Sequence, residues 1–280
     1  MSGIFFKRKP INTFIWDKTK SLLIPFVFFY LISYPFRIIV HAWDHRTLES
    51  FDWLCILDVF SFSAKTDYMF VNVPLWFLIC LFVIQVLYYF VSFLDKRIIG
   101  IIALLCLLFK EFFLSVPSFF MINAALYNIS FFALGNLFGR PLIEKLNEHK
   151  FQKYSVVLSV PLFATFFLAL PTHSKVLYDI LLHFRLFAVF FVLMSIGSLL
   201  NEKKSLILLR FYGENSLTIL GIHVMPLIVV KRITNAIFGY CTPFMGFIQS
   251  VIVMAIMYVV ILFCNKYIPM LVGKKVHASA

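Results

Sequence analysis

Polar residues interrupt this chain at nearly regular intervals and leave eight long apolar runs, at approximately residues 21–39, 75–93, 98–114, 119–138, 154–170, 184–200, 216–230 and 247–263. Most approach the roughly 20 residues that a helix needs to cross a hydrocarbon core of about 30 Å. Within lipid every backbone N–H and C=O must be satisfied inside the segment, which favours helices. The pattern therefore predicts an all-α protein, a polytopic transmembrane helical bundle of about eight spans. Two runs are weaker. The third carries Lys110 and Glu111 near its end, and the seventh is short and contains Pro226. No internal repeat is visible.

Composition sharpens this picture. Of 280 residues, 62% are hydrophobic and only 14% charged, against about 25% charged in an ordinary soluble domain. Thirty-six phenylalanines exceed what one water-soluble core hides, so lipid is the partner the surface calls for. No polar stretch is long enough for a separate soluble domain, and residues 1–280 read as a single membrane domain. The basic first twenty residues hold no apolar region long enough for a cleavable signal peptide.

The net charge of +12 is distributed by topology. Taking the connections alternately, one side holds Lys7, Arg8, Lys9, Lys18, Lys20, Lys96, Arg97, Arg140, Lys145, Lys150, Lys153, Lys203, Lys204, Arg210, Lys266, Lys274 and Lys275, which is 17 cations. The other holds six: Arg46, Lys65, Lys110, Lys175, Lys231 and Arg232. Cytoplasmic loops are enriched in Lys and Arg, so both termini are assigned to the cytoplasm. With no basic helix or Arg-rich arm to contact phosphates, nucleic acid is excluded as a partner. The five cysteines, Cys55, Cys80, Cys106, Cys241 and Cys264, form no CxxC pair and read as small buried hydrophobes.

The connection at residues 41–73 is the longest. It faces outward by the same count and carries Asp44, Glu49, Asp52, Asp58 and Asp67 with Trp43, Phe51, Trp53 and Tyr68. Aromatic faces and acids suit sugar binding, and they equally suit a loop resting at the membrane interface.

Ionisable residues inside a membrane are costly and point to function or to interhelical hydrogen bonding. His223 is the foremost, two helical turns beyond Ser216 and about 10 Å into the membrane. A neutral imidazole there is either a general base for a hydroxyl or a hydrogen-bonded strut of the bundle. Glu214, Asn215 and Ser216 open the seventh span and either cap it or contribute to a site. Arg37 and Arg185, with His183, sit near outer helix ends, where snorkelling and anion binding both fit. Trp76 begins the second span at the outer interface. Lys18 and Lys20 precede Leu22-Leu23-Ile24-Pro25 and serve as positive-inside anchors or as partners for the phosphates of an anionic cofactor. No Gly-rich phosphate loop, nucleophilic triad or metal-ligand cluster is visible, so no metal is expected.

The ordered elements Ser2-Gly3-Ile4-Phe5-Phe6, Lys20-Ser21-Leu22-Leu23-Ile24-Pro25-Phe26, Pro74-Leu75-Trp76-Phe77-Leu78 and Gly213 to His223 resemble acyltransferase family 3 of integral membrane proteins, in particular bacterial sugar O-acetylases of the fucose 4-O-acetylase type. The resemblance covers nearly the whole chain. It implies transfer of an acetyl or other acyl group from cytoplasmic acetyl-CoA, a co-substrate, to a hydroxyl of a cell-surface polysaccharide or its precursor, in a bacterial inner membrane. It implies His223 as the catalytic residue and Trp76, Arg37, Asn215 and Ser216 as substrate-binding residues, with Lys18 and Lys20 on CoA phosphates. Family members resemble ten-span bundles whose first helix carries an essential His. Here the Ser-Gly-Ile-Phe-Phe element begins at residue 2, so the resemblance implies a chain lacking the first one to two helices, with no counterpart of that His. A polysaccharide-precursor transporter and a non-catalytic truncated membrane subunit are the alternative readings.

Overall fold

The computed structural model describes residues 2–45, 51–57, 72–109, 121–148, 206–239 and 242–273, and single or short runs of positions at 48, 59 and between 151 and 197. Every regular element among them is helical. The helices are α1 (Ile11–Lys18), α2 (Ile24–His45), α3 (Trp76–Val91), α4 (Lys96–Leu108), α5 (Ile122–Asn147), α6 (Ile207–Glu214), α7 (Ser216–Ile222), α8 (Val224–Phe238) and α9 (Pro243–Tyr267). This is the all-α membrane architecture expected.

Among the described residues three helical stretches are long and apolar enough to cross a bilayer, Ile11–His45, Val73–Val91 and Phe244–Tyr267, and the bent pair Ser216–Ile222 with Val224–Phe238, taken as one broken span, makes a fourth. They coincide with the first, second, eighth and seventh runs of the sequence. The first is much longer than its apolar run because α1 and α2 are joined without a break by a π-helical turn, Thr19–Leu23. Pro25 stands two residues past the end of this turn. A proline cannot donate to the carbonyl four residues back and its ring crowds that carbonyl, so the ladder widens here instead of ending. The third run is helical over Lys96–Leu108; Asp95 caps it, its side chain accepting from the Arg97 N–H. The fourth run lies largely on α5, which extends past it to Asn147 with Pro141 inside.

Most of the fifth run and part of the sixth lie outside the described residues, as do Arg46, Lys65, Lys110, Lys150, Lys153, Lys175, Lys203, Lys204, Lys274 and Lys275 among the counted cations, together with Glu49, Asp58, Asp67, Tyr68, Glu111, His183 and Cys241. The other four cysteines are buried and form no disulfide.

The chain gathers into two compact units, residues 1–5 with 134–211, and residues 6–133 with 212–280. In the first, the opening turn Ser2–Phe5 seats on α5. Ile4 is buried, the Asn136 amide donates to the Gly3 carbonyl at 3.0 Å, and Gly139 leaves room for the Ile4 side chain where a Cβ would stand 2.3 Å from it.

In the second unit, Phe6, Phe14, Tyr88 and Phe132 pack edge to face, with Phe6 and Tyr88 ring centroids 5.0 Å apart. Arg8 donates to the carbonyl and hydroxyl of Ser92 and lies over the Phe93 ring, while the Tyr89 hydroxyl donates to the Lys9 carbonyl at 3.0 Å. The basic segment is thus tied to the far end of α3. At the other end, Arg232 of α8 pairs with Asp44 of α2 at 2.6 Å and lies over Trp43, so these two helix ends share one side. Half of the most apolar window of α3 is buried, against 28% for α9, which makes α3 the central helix of the pair.

Candidate functional site

The site grows from the break in the seventh span. Pro226 stands in the first turn of α8, where its missing N–H and its ring disturb the carbonyl of Ile222 four residues back. The axes of α7 and α8 diverge by 53°, and His223 occupies the joint. Its backbone N–H donates to the Ile219 carbonyl at 2.9 Å, and its Nδ1 lies 2.7 Å from the same oxygen. A carbonyl only accepts, so Nδ1 carries the hydrogen, and in the neutral ring Nε2 is the nitrogen that holds the lone pair. Sequence alone could not assign the tautomer; the joint does so.

Against this joint packs α2. Gly221 lies so close to Phe29 that a Cβ would fall 2.3 Å from its ring, so only glycine fits here. One residue ties the contact together. Asn72, 2% exposed, precedes the short 3-10 turn that leads into α3. Its amide nitrogen donates to the Gly221 carbonyl and to the Ser33 hydroxyl, each at 2.8 Å. Ser33 in turn donates to the Phe29 carbonyl at 2.7 Å. Asn72 Oδ1 is buried without a hydrogen-bond partner, a condition that costs about 1–3 kcal/mol. The amide cannot be turned over to relieve this, because oxygen would then face the Gly221 carbonyl.

Beside the network lies a cavity of about 130 Å³, with Phe36, Val40, Val73, Val224, Met225 and Ile228 as apolar walls and Arg37 and Asn72 as its polar ones. Arg37 stands one turn beyond Ser33 on α2, which places both on one face. Thr218, a turn before Ile222, also buries its hydroxyl oxygen without a partner.

The residues singled out in the sequence fall into three places. Arg37 lines the cavity, whereas His223 stands at the joint just before the lining residues Val224 and Met225 and is not itself part of the lining. Trp76 is half-buried at the start of α3, edge-on to Phe77, four residues from Asn72. At the opposite end of α7, Asn215 is buried and holds the N-cap position with its side chain making no cap hydrogen bond. Ser216, beside it, is exposed. The two-turn spacing from Ser216 to His223 therefore links an exposed residue to a half-buried one.

Lys18 and Lys20 lie elsewhere, on the α1 side of the long helix. Lys20 rests over the Trp16 ring at 4.7 Å and Lys18 over Phe14 at 5.5 Å. Ser33, joined to the joint through Asn72, is 13 residues beyond Lys20, about 20 Å by helical rise.

Asn72, Ser33 and Gly221 were not singled out by sequence. The signal available was a lone Asn just ahead of Pro74-Leu75-Trp76 and a Gly two residues before His223, neither of which names its partner.

A family model described as an acyltransferase domain matches residues 1–266. No curated protein and no solved structure matches the chain.

Proposed function

The chain belongs to acyltransferase family 3, and from that premise we propose that it moves a short acyl group, acetyl in the simplest case, from acyl-CoA to a hydroxyl of a cell-surface polysaccharide or its precursor. The setting is a bacterial inner membrane with both termini in the cytoplasm. His223 Nε2 removes the proton from the acceptor hydroxyl. The oxygen attacks the thioester carbonyl, the C–S bond breaks as the ester forms, and the departing thiolate takes the proton back from the imidazolium. Arg37 supplies a cation for the negative charge that gathers on the carbonyl oxygen, where it is worth most away from water. A cavity near 130 Å³ is comparable to the roughly 150 Å³ cavity that holds benzene. That suits a short acyl group and is too small for a sugar. Lys18 and Lys20 bind CoA phosphates, with the pantetheine arm running along the long first helix. Trp76, Asn215 and Ser216 contribute to holding the carbohydrate.

The observation that carries this reading is the Nδ1 hydrogen bond of His223 to Ile219, which makes Nε2 the accepting nitrogen of the neutral ring at the break of the seventh span. The test uses membranes containing the protein, labelled acetyl-CoA and extractable glycan. Label passes to glycan and is lost with His223→Ala; undiminished transfer by that variant overturns the assignment. A second reading, transport of a polysaccharide precursor, draws on the broken span, since transporters bind substrates at discontinuous helices. Movement of glycan across vesicles without acyl transfer would favour it.

A further inference from the structure

Asn72 holds a place that the chemistry just described does not use, and its bonding is directional. The Gly221 carbonyl is acceptor only. The single hydroxyl hydrogen of Ser33 is directed to the Phe29 carbonyl, so Ser33 meets Asn72 as an acceptor too. Both amide hydrogens of Asn72 are therefore committed, one to α2 and one to the last turn of α7. Gly221 is two residues before His223, inside the turn whose Ile219 carbonyl fixes the imidazole.

We propose that Asn72 is a positioning residue for His223. It clamps the joint of the broken span to α2, and so sets where Nε2 points. The inference rests on the reading of His223 as the base. Its physical content is that the Gly221 carbonyl, in the last turn of α7 one residue before the carbonyl that Pro226 disturbs, has two ways to be satisfied. It can turn toward another helix or recruit a donor, and here the donor comes from a loop residue rather than from α7 or α8. The buried, unpartnered Oδ1 is what that arrangement leaves over: an alternative residue with two donors and no acceptor does not exist at this size.

Substitution separates positioning from packing. Asn72→Asp preserves the shape and replaces the two donors by oxygen facing two acceptors. Asn72→Ala removes the side chain, and Ser33→Ala keeps the Gly221 bond while losing the other. With the full chain purified into proteoliposomes, Asn72→Asp and Asn72→Ala are expected to lower kcat by about 10- to 100-fold, the scale of a misplacement near 1 Å. KM for acetyl-CoA stays within about twofold, and Ser33→Ala falls between wild type and these variants.

A second readout does not depend on turnover. Carbethoxylation of His223 by diethyl pyrocarbonate, followed by peptide mass spectrometry with the other histidines as internal reference, is expected to change rate at least threefold in Asn72→Ala and little in Ser33→Ala. Equal kcat in wild type and Asn72→Ala, or an unchanged modification rate, overturns the proposal. If Asn72→Ala or Asn72→Asp fails to fold, Ser33→Ala with unaltered kcat does so as well. If wild type itself transfers no acyl group, the functional reading fails, and the modification rate alone decides whether Asn72 orients His223.

Discussion

At the scale of single residues, the chain uses hydrogen bonds to fix chemistry that apolar packing cannot specify. His223 donates through Nδ1 to the turn it belongs to, so its free nitrogen has a defined identity and direction. His223→Ala is expected to lower acyl transfer by about 10²- to 10⁴-fold, the usual worth of a positioned base, with the protein still extracted and folded. A retained rate in the labelled-glycan assay would remove it from the reaction. Gly221 is the steric counterpart. Gly221→Ala places a methyl carbon against a fully buried Phe29 ring, and overpacking of that kind costs about 1–3 kcal/mol. A lower midpoint in a thermal unfolding scan in detergent checks it. His223 and Arg37 were legible from sequence because ionisable residues stand out within apolar runs. Asn72 was not, since its meaning depends on a serine 39 positions earlier and a carbonyl 149 positions later.

At the scale of elements, hydropathy located the first, second, seventh and eighth spans, because lipid demands the same long apolar helix wherever the chain crosses. It could not show how proline would be accommodated. Pro25 lies beside a π turn that keeps the helix running, whereas Pro226 accompanies a 53° bend. The difference lies in what surrounds each one. The turn before Pro25 packs against α1, α2 and α3, and α7 is held to α2 through the Asn72 and Phe29 contacts. Pro226→Ala restores a backbone donor in α8. It is expected to leave thermal stability unchanged or raised, since proline inside a helix is the poorest helix former, while lowering kcat about tenfold by straightening the joint. Loss of stability with normal turnover would reverse that assignment. Capping by Asn215, suggested by its place before Ser216, is a backbone property only; the side chain is buried and makes no cap hydrogen bond.

At the scale of the whole molecule, alternation of cations with apolar runs predicts which side each connection occupies. A reporter active only in the periplasm is expected to stay silent when fused to either terminus, and activity from either fusion would overturn the threading. The pairing of Arg232 with Asp44 joins two connections that the charge count assigns to one face, the outward one. The family match from residue 1 to residue 266 takes in both compact units. Short ordered elements such as Pro74-Leu75-Trp76-Phe77-Leu78 carry the likeness to that family, whereas hydropathy alone stops at a helical membrane protein.

The unbroken first helix carries one more implication. Thirty-five residues from Ile11 to His45 form a rod of about 52 Å, far longer than the roughly 30 Å of hydrocarbon available to it. Such a rod must lean or protrude, and its lean answers to the thickness of the surrounding lipid. Turnover in vesicles of short- and long-chain phosphatidylcholine should then differ, because Lys20 and Arg37 ride on one lever whose pitch the host membrane sets.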